Sequence, residues 1–328
     1  MELREFNPDD DTSIRIAVDI ENAHHAADCP WLYEATPHRL EMDMRHGWDG
    51  EVGRYFLAYD GQTPVGYATL DTSDWDNRDL AWLGLTIHPE ARRSGHGTRA
   101  LDQLTALARE MGRTLAGVDG WEGPAVQAFA ASTGFAKKSQ AINRRMILAE
   151  ADLADVRRLR DLAAEAAAPY ELVRIAGRTP DDLVDAVAEM TGAINDAPMD
   201  DLEYEDEEFP PERIRAYESA TIERGHRLYR LVARHRETGS LGGHTVVAVD
   251  AEQPANGHQH DTSVVRAHRG HRLGQLLKAE MVLWLAQDEP QVTSVDTWNA
   301  ESNAHMIAVN DALGYQVLGR EIQFQRRF

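Results

Sequence analysis

A chain of 328 residues exceeds one ordinary hydrophobic core, so about two domains of roughly 150 residues are expected. Its 42% hydrophobic and 27% charged residues describe a globular rather than a disordered protein. A net charge of −21 repels phosphate backbones and anionic lipid at long range, which sets nucleic acid and membranes aside as partners.

The opening MELREFNPDDD has neither the basic start nor the apolar run of a signal peptide, and the single cysteine, Cys29, cannot form an internal disulfide. No stretch of about 18 apolar residues is present to span a bilayer, and a cytoplasmic protein is expected. ELREF reads as a strand, with Asn7 placed to cap a helix that has Pro8 first and Asp9 and Asp10 in its first turn. RYFLAYDGQTPVGYATL reads as a hairpin. LAWLGLTIH is a strand that runs into RRSGHGTRAL, and the helix that follows has core spacing at Leu101, Leu104, Ala108 and Met111. A strand near RTLAGV, a last helix and a final strand complete the half.

The segment LAEADLADVRRLRDLAAEAAAPY is periodic at Leu153, Val156, Leu159 and Leu162 and stops at Pro169. It predicts a helical connector over 151–170, between halves spanning 1–150 and 171–328. The second half repeats the first: ELVRI, Thr179 before Pro180, the hairpin RLYRLVARHRETGSLGGHTVVAV, QHDTSVV, and a helix apolar at Leu273, Leu276, Leu277, Met281, Trp284 and Leu285. Gly66 and Gly243, Arg92 and Arg269, and Gly97 and Gly274 are all 177 residues apart. A period this long marks duplicated domains rather than a solenoid.

A strand that ends in a tight glycine turn and feeds a helix leaves amide N–H groups unpaired around the turn, and the helix dipole adds attraction for an anion. A pyrophosphate suits that cradle. No Gly-Lys-Ser or Gly-Lys-Thr follows, and the third glycine of a dinucleotide fingerprint is missing. IHPEARRSGHGTRAL resembles the acetyl-CoA pyrophosphate loop of the GNAT superfamily of N-acyltransferases, whose pattern is Arg or Gln, two residues, Gly, one residue, then Gly or Ala. Here these are Arg92, Gly95 and Gly97. The second copy, RAHRGHRLGQLLK, places Arg272 at the middle glycine, where its side chain either crowds the phosphate or binds it.

The resemblance covers nearly the whole chain as two tandem units, an organisation like that of mycothiol synthase. It implies an α/β fold: in each half, a mixed sheet with flanking helices and two strands splayed apart to admit the pantetheine arm. It also implies acetyl-CoA as co-substrate, with no metal. Carried onto this sequence, the cofactor-binding set is Ile87, Arg92, Arg93, Gly95, His96, Gly97 and Thr98 in the first half. In the second it is Val264, Val265, Arg269, Gly270, His271, Arg272, Leu273, Gly274 and Gln275, with Asn299 and Asn303.

Amide formation from a thioester needs a deprotonated amine, donors for the oxyanion and a proton for the leaving thiolate. The first half's strand has no titratable group before His88, and the position of the family's helix tyrosine, four residues before Gly134, is Ala130. In the second half GHQHDTSVV places His258 and His260 on one face and Gln259 and Asp261 on the other by the period of two. In the GNAT pattern a carboxylate or histidine on that strand often acts as base, so the resemblance implies His258, His260 and Asp261 as the candidate bases. Polar residues of a half-exposed strand are the plain alternative. Asn310 occupies the tyrosine position, and an amide donates no proton as a phenol does. Alternate histidines can share a metal ion, but spacing identifies no third ligand, and Glu21, His24, His25 and Cys29 read as a helix surface.

The run INDAPMDDLEYEDEEFPPERIR is either a solvated charge run or a lid whose Asp200, Asp201, Glu203 and Glu205 select a cationic amine. The expectation is an acetyl-CoA-dependent N-acetyltransferase acting on a small-molecule amine, a monomer or homodimer, with the second half catalytic. The alternative outside this class is a catalytically inactive CoA-binding sensor or scaffold. Mycothiol synthase is an alternative within it.

Overall fold

The computed structural model describes residues 1–328. In chain order the elements are β1 (Glu2–Phe6), α1 (Asp11–Asp28), α2 (Pro37–His46), β2 (Arg54–Asp60), β3 (Thr63–Asp71), β4 (Leu80–Ile87), α3 (His96–Glu110), β5 (Leu115–Trp121), α4 (Pro124–Ser132) and β6 (Ala136–Ile147). There follow α5 (Leu153–Ala166), β7 (Tyr170–Ala176), α6 (Val184–Thr191), α7 (Pro211–Glu223), β8 (Arg227–His235), β9 (Leu241–Val249), β10 (Asn256–Val264), α8 (Leu273–Asp288), β11 (Ser294–Ala300), α9 (Ala304–Ala312) and β12 (Gln316–Arg327).

Two compact units are present, and neither is contiguous in sequence. Unit 1 comprises Met1–Ala141, Met199–Glu205 and Gly319–Phe328; unit 2 comprises Ile142–Pro198 and Asp206–Leu318. The sheet of unit 1 runs β1-β2-β3-β4-β5-β12, so its last strand comes from the far end of the chain. That of unit 2 runs β6-β11-β10-β9-β8-β7, closed by a strand from the middle of the chain. Each final strand is the one that contiguous halves would have assigned to the other unit.

In unit 1, Phe56, Ala68, Leu70, Ala81, Leu83, Ala116, Ile322 and Phe324 turn to one face and pack under Leu101, Leu104 and Ala108 of α3. Residues of opposite parity, among them Leu57 and Tyr67, pack with Ile14, Ala17 and Val18 of α1 and Leu40 and Met44 of α2. In unit 2, Tyr229, Leu231, Ala233, Val247, Val249 and Val295 meet α8 through Leu273, Leu276, Leu277, Met281, Trp284 and Leu285. The 151–170 segment is less a connector than a part of this core. Asp152 caps α5 by accepting from Ala154 and Asp155. Val156 and Ala163 are buried, and only Leu162 of the predicted stripe is exposed.

Two caps fall elsewhere than the sequence suggests. Asp10, not Asn7, caps α1 by accepting from Ser13 (3.0 Å), because Asn7 closes the turn before it. Thr179 caps no helix; its amide and hydroxyl both donate to the buried Glu218.

Candidate active site

Both units open at the same place. In unit 1 β4 and β5 pair in parallel only from Leu80↔Leu115 to Trp82↔Gly117. In unit 2 β10 and β11 pair only from Asn256↔Ser294 to His258↔Asp296. Past those residues the strands part, leaving backbone groups of each inner edge to a ligand. Trp82 lies across Gly117 so closely that a Cβ there would be 2.2 Å from its ring, which explains the glycine.

The glycine turns are built alike from different residues. Arg93 and Gly95 have φ of 65° and 78°, and their counterparts Gly270 and Arg272 have 88° and 55°. Arg272 thus takes the left-handed conformation that Gly95 takes without strain, at a cost of about 1–2 kcal/mol, and its exposed side chain leaves the turn unplugged. Neither α3 nor α8 has a side-chain cap. The first intrahelical bonds in each run from Arg99 to Gly95 and from Leu276 to Arg272. The amides of His96, Gly97 and Thr98, and of Leu273, Gly274 and Gln275, therefore have no intrahelical carbonyl, an arrangement that favours an anion.

Arg92 and Arg269, expected at the phosphate, are turn anchors. Their Nε atoms donate to the carbonyls of Ile87 (3.1 Å) and Val264 (3.2 Å), and their second nitrogens to Asp28 (2.6 Å) and Asp196 (2.7 Å). A short lever closed at both ends fixes each turn against its strand. Val265 is likewise committed, donating its amide to Gly242 (3.0 Å), as His88 does to Val65 (3.0 Å). Since amides alternate along a strand, those of Ile87 and Val264 aim into the openings. The side chains of Leu273 and His96 are buried in their units, and His271 contacts the Ala166 carbonyl (3.2 Å), so this part of the predicted set offers backbone rather than side-chain groups.

Unit 2 differs from unit 1 at the strand preceding the turn. β10 carries a bulge: the register moves from Gln259↔Val247 to Thr262↔Thr245, so His260 and Asp261 together oppose Val246. β3 and β4 pair without interruption. The bulge also breaks the simple alternation. Gln259 and Thr262 now share a face, both bonded to Thr245 (3.0 and 2.7 Å), while His260 and Asp261 share the charged surroundings of Arg230.

That face is polar and buried. His260 Nδ1 meets the Tyr217 hydroxyl at 2.5 Å, and His258 stacks on His226 with centroids 6.1 Å apart. Arg230, 2% exposed, binds His244 (2.9 Å) and approaches Glu218 (3.6 Å), which also accepts from Arg215 (3.0 Å). Burial, reinforced by His258 and the nearby arginines, pushes the His260 imidazole well below its usual range, and burial raises the Asp261 carboxyl against the pull of Arg230. Sequence reasoning missed Tyr217 and Glu218 of α7 and Arg230 of β8; the buried polar stripe of α7 has no apolar period to announce it, and Arg230 reads as a solvent-facing strand residue.

Asn310 is fully buried and donates to Asn299 (2.5 Å), which ties α9 to the splayed end of β11 and withdraws it from proton transfer. Asn303 caps α9 by accepting from Met306 (3.1 Å). The acidic loop also changes meaning. Asp196 holds Arg266 and Arg269. Asp200 accepts from Ser139 (2.7 Å), and the Asp201 amide donates to Lys138. Glu203 pairs with Arg327 (2.7 Å) and Lys138 (3.4 Å), and Glu205 bonds Asn77 through its backbone and its carboxylate. Residues 199–205 are thus built into unit 1 through hydrogen bonds and the ion pairs of Glu203, rather than forming a lid for the second half. No group of three or more His, Cys, Asp or Glu side chains is arranged to hold a metal ion, and no helix is long and apolar enough to cross a membrane.

A model of the acetyltransferase (GNAT) family matches residues 20–135. No curated protein matches the sequence significantly. Among solved structures, a tandem GNAT protein from the clavulanic acid biosynthesis pathway is similar, with TM-score 0.82 and 28% identity over 99% of this chain and 98% of that one. A GCN5-related N-acetyltransferase from Sphaerobacter thermophilus shares the fold, with TM-score 0.68 and 15% identity over 99% of this chain and 95% of that one. So does the glucosamine N-acetyltransferase region of a fungal multi-domain GH3 β-N-acetylglucosaminidase, with TM-score 0.70 and 15% identity over 99% of this chain and 38% of that one. Open strands, uncapped turns and these likenesses converge: residues 20–135 match the GNAT acetyltransferase family, and the chain as a whole has the fold of a tandem GNAT protein.

Proposed function

We propose that the protein transfers an acetyl group from acetyl-CoA to a small amine, and that unit 2 performs the chemistry. The bulge of β10 carries this reading, because it sets Asp261 and His260 beside the strand opening of unit 2, whereas β4 has no counterpart. Asp261 is the better base of the two. A carboxyl held above its usual range takes a proton from an ammonium more readily than an imidazole that burial makes a weak base. His260, held by Tyr217, then keeps the bulge in place.

The diphosphate rests on the free amides of Leu273, Gly274 and Gln275. The neutral amine attacks the thioester carbonyl carbon, and the Val264 amide, aimed into the opening, donates to the oxyanion. The intermediate loses a proton from its nitrogen to solvent and collapses with cleavage of the carbon–sulfur bond. Water, rather than the buried Asn310, protonates the thiolate. Unit 1, with its equivalent turn, binds CoA without turnover.

The test is thiol release from acetyl-CoA across a panel of primary amines. We expect Asp261→Asn to lower kcat by 10²-fold or more, on the order of a lost general base, and to leave CoA affinity intact. Thiol release unchanged in Asp261→Asn overturns the assignment. CoA binding without release for any amine marks a CoA-binding protein instead.

A further inference from the structure

The glycine turn of unit 2 stands on a cluster of imidazoles that the turn of unit 1 lacks. Tyr170 opens β7 with its ring buried, and three histidine rings lie against it. These are His235 at the end of β8 (5.2 Å between centroids), His268 just before Arg269 (5.7 Å) and His271 inside the turn (5.4 Å). His235 and His268 are 6.2 Å apart. Gly242 of β9 makes room for the group, since a Cβ there would lie 2.9 Å from the Tyr170 ring and 3.1 Å from that of His268. At the offset of 177 residues, unit 1 has Ala91 and Ser94 in place of His268 and His271. We infer that CoA binding at the turn of unit 2 takes up protons on His268 and His271, so that this site tightens as pH falls.

The hydrogen bonds select these two rings. His268 Nδ1 lies 2.8 Å from the Tyr170 hydroxyl. A phenol donates to a neutral imidazole and turns to accept from a charged one, so His268 gains a proton without losing its partner. His271 Nδ1 lies 3.2 Å from the Ala166 carbonyl, which only accepts; Nδ1 therefore carries hydrogen, and Nε2 is left for the second proton. That carbonyl ends α5, where the helix dipole favours a cation. His235 differs, because its Nδ1 accepts from the Thr238 amide (3.3 Å), a bond that protonation destroys.

Without an anion the cluster resists charge. Burial lowers the His268 imidazole, and His235 and His271 lower it further. The neighbouring carboxylates are engaged or turned to solvent: Asp196 is held by Arg266 and Arg269, Glu171 by Arg234 (2.5 Å) and Arg236 (3.7 Å), and Glu165 and Glu237 are exposed. Arg272 adds another positive charge beside His271. A diphosphate on the amides of Leu273, Gly274 and Gln275 brings the missing negative charge two residues from His271 and favours both imidazolium forms. Proton affinity is then higher in the complex than in the free protein, so binding tightens as pH falls through about 7 to 5, the imidazole range. In unit 1 the buried His96 already accepts from Arg99 at Nδ1 (2.9 Å). The inference rests on the reading that unit 2 binds CoA, and not on catalysis there.

The experiment is calorimetric titration of the full chain with 3′-dephospho-CoA, which lacks the titrating phosphate of CoA, in paired buffers of different ionisation enthalpy. We expect uptake of about one proton per chain near pH 6.5 and about fivefold tighter binding at pH 6 than at pH 8. His268→Ala combined with His271→Ser should abolish both effects; unit 1 holds the same left-handed positions with those residues. His271→Ser alone should lower the uptake by about half, and it keeps the test open if the double variant does not fold. Asp261→Asn should retain the uptake, which separates this inference from the catalytic assignment. No uptake, uptake unchanged in the histidine variants, uptake lost in Asp261→Asn, or binding that weakens as pH falls overturns the inference. Binding without uptake leaves acetyl transfer standing, whereas no binding at all overturns both.

Discussion

Replacing Glu321 with glutamine should stabilise the protein, and do so most strongly at alkaline pH. Glu321 lies on β12 opposite Trp121, one diagonal step from Asp119, and burial with the Asp119 charge pushes its carboxyl up to about 8. Its ordinary value is 4.5. The folded state therefore holds a proton that the unfolded state has released, and stability falls as pH rises from about 4.5 to about 8. At pH 7 the shift spans about 2.5 units, or about 3.4 kcal/mol at 1.36 kcal/mol per unit. The side chain keeps contact with solvent and acts together with Asp119, so about half of that, ~1.5 kcal/mol, is expected in a mutant. Glutamine has the same shape and no charge to bury. Urea unfolding between pH 5 and 9 should show wild-type stability declining with pH and the Glu321→Gln variant nearly level, with its midpoint about 2–4 °C higher at pH 7 in a thermal scan. Parallel curves would mean that Glu321 is ionised and solvated in the fold, and the reading of this acidic face would fail.

Glu218→Ala should cost about 3–5 kcal/mol in denaturant unfolding, since it leaves Arg230 buried without its carboxylate; a loss below about 1 kcal/mol would show that water reaches the guanidinium. Gly95→Val should weaken CoA binding at the first turn, because a β-branched residue does not adopt a φ of 78°; two-site calorimetry should then find one CoA site in place of two. Neutralising Asp200 and Glu203 should leave the acceptor KM unchanged and lower the thermal midpoint, since Ser139, Lys138 and Arg327 hold them; a raised KM would restore them to substrate selection.

The recurring turn was legible because it is local. A strand, an arginine, left-handed residues and an uncapped helix fall within about ten residues, and the offset of 177 carries the second copy even where Arg272 replaces glycine. α8 was legible for the same reason, since its six predicted apolar residues are all buried. α2 and α7 were not. α2 buries only Leu40 and Met44, too few to show a period, and the inward face of α7 includes Arg213, Glu218 and Thr221, which read as solvent-facing. The bulge at His260–Asp261 also escaped, because a period of two presumes an unbroken ladder. The acidic loop misled for a different reason: its carboxylates look available until partners distant in sequence are brought beside them, Arg266 and Arg269 at Asp196, Ser139 at Asp200, and Lys138 and Arg327 at Glu203.

The two late strands impose an order of events on synthesis. Unit 1 needs Gly319–Arg327 to close its sheet, so the edge of β5 stays open until that segment has been made. Its pairing with β12 spans some two hundred residues of chain, a long loop to close and a slow step. A fragment ending near residue 150 would present a bare strand edge and an acidic face without Glu321, and should associate rather than fold. The gene cannot be cut into two working acetyltransferase halves at its midpoint, whatever its repeats suggest.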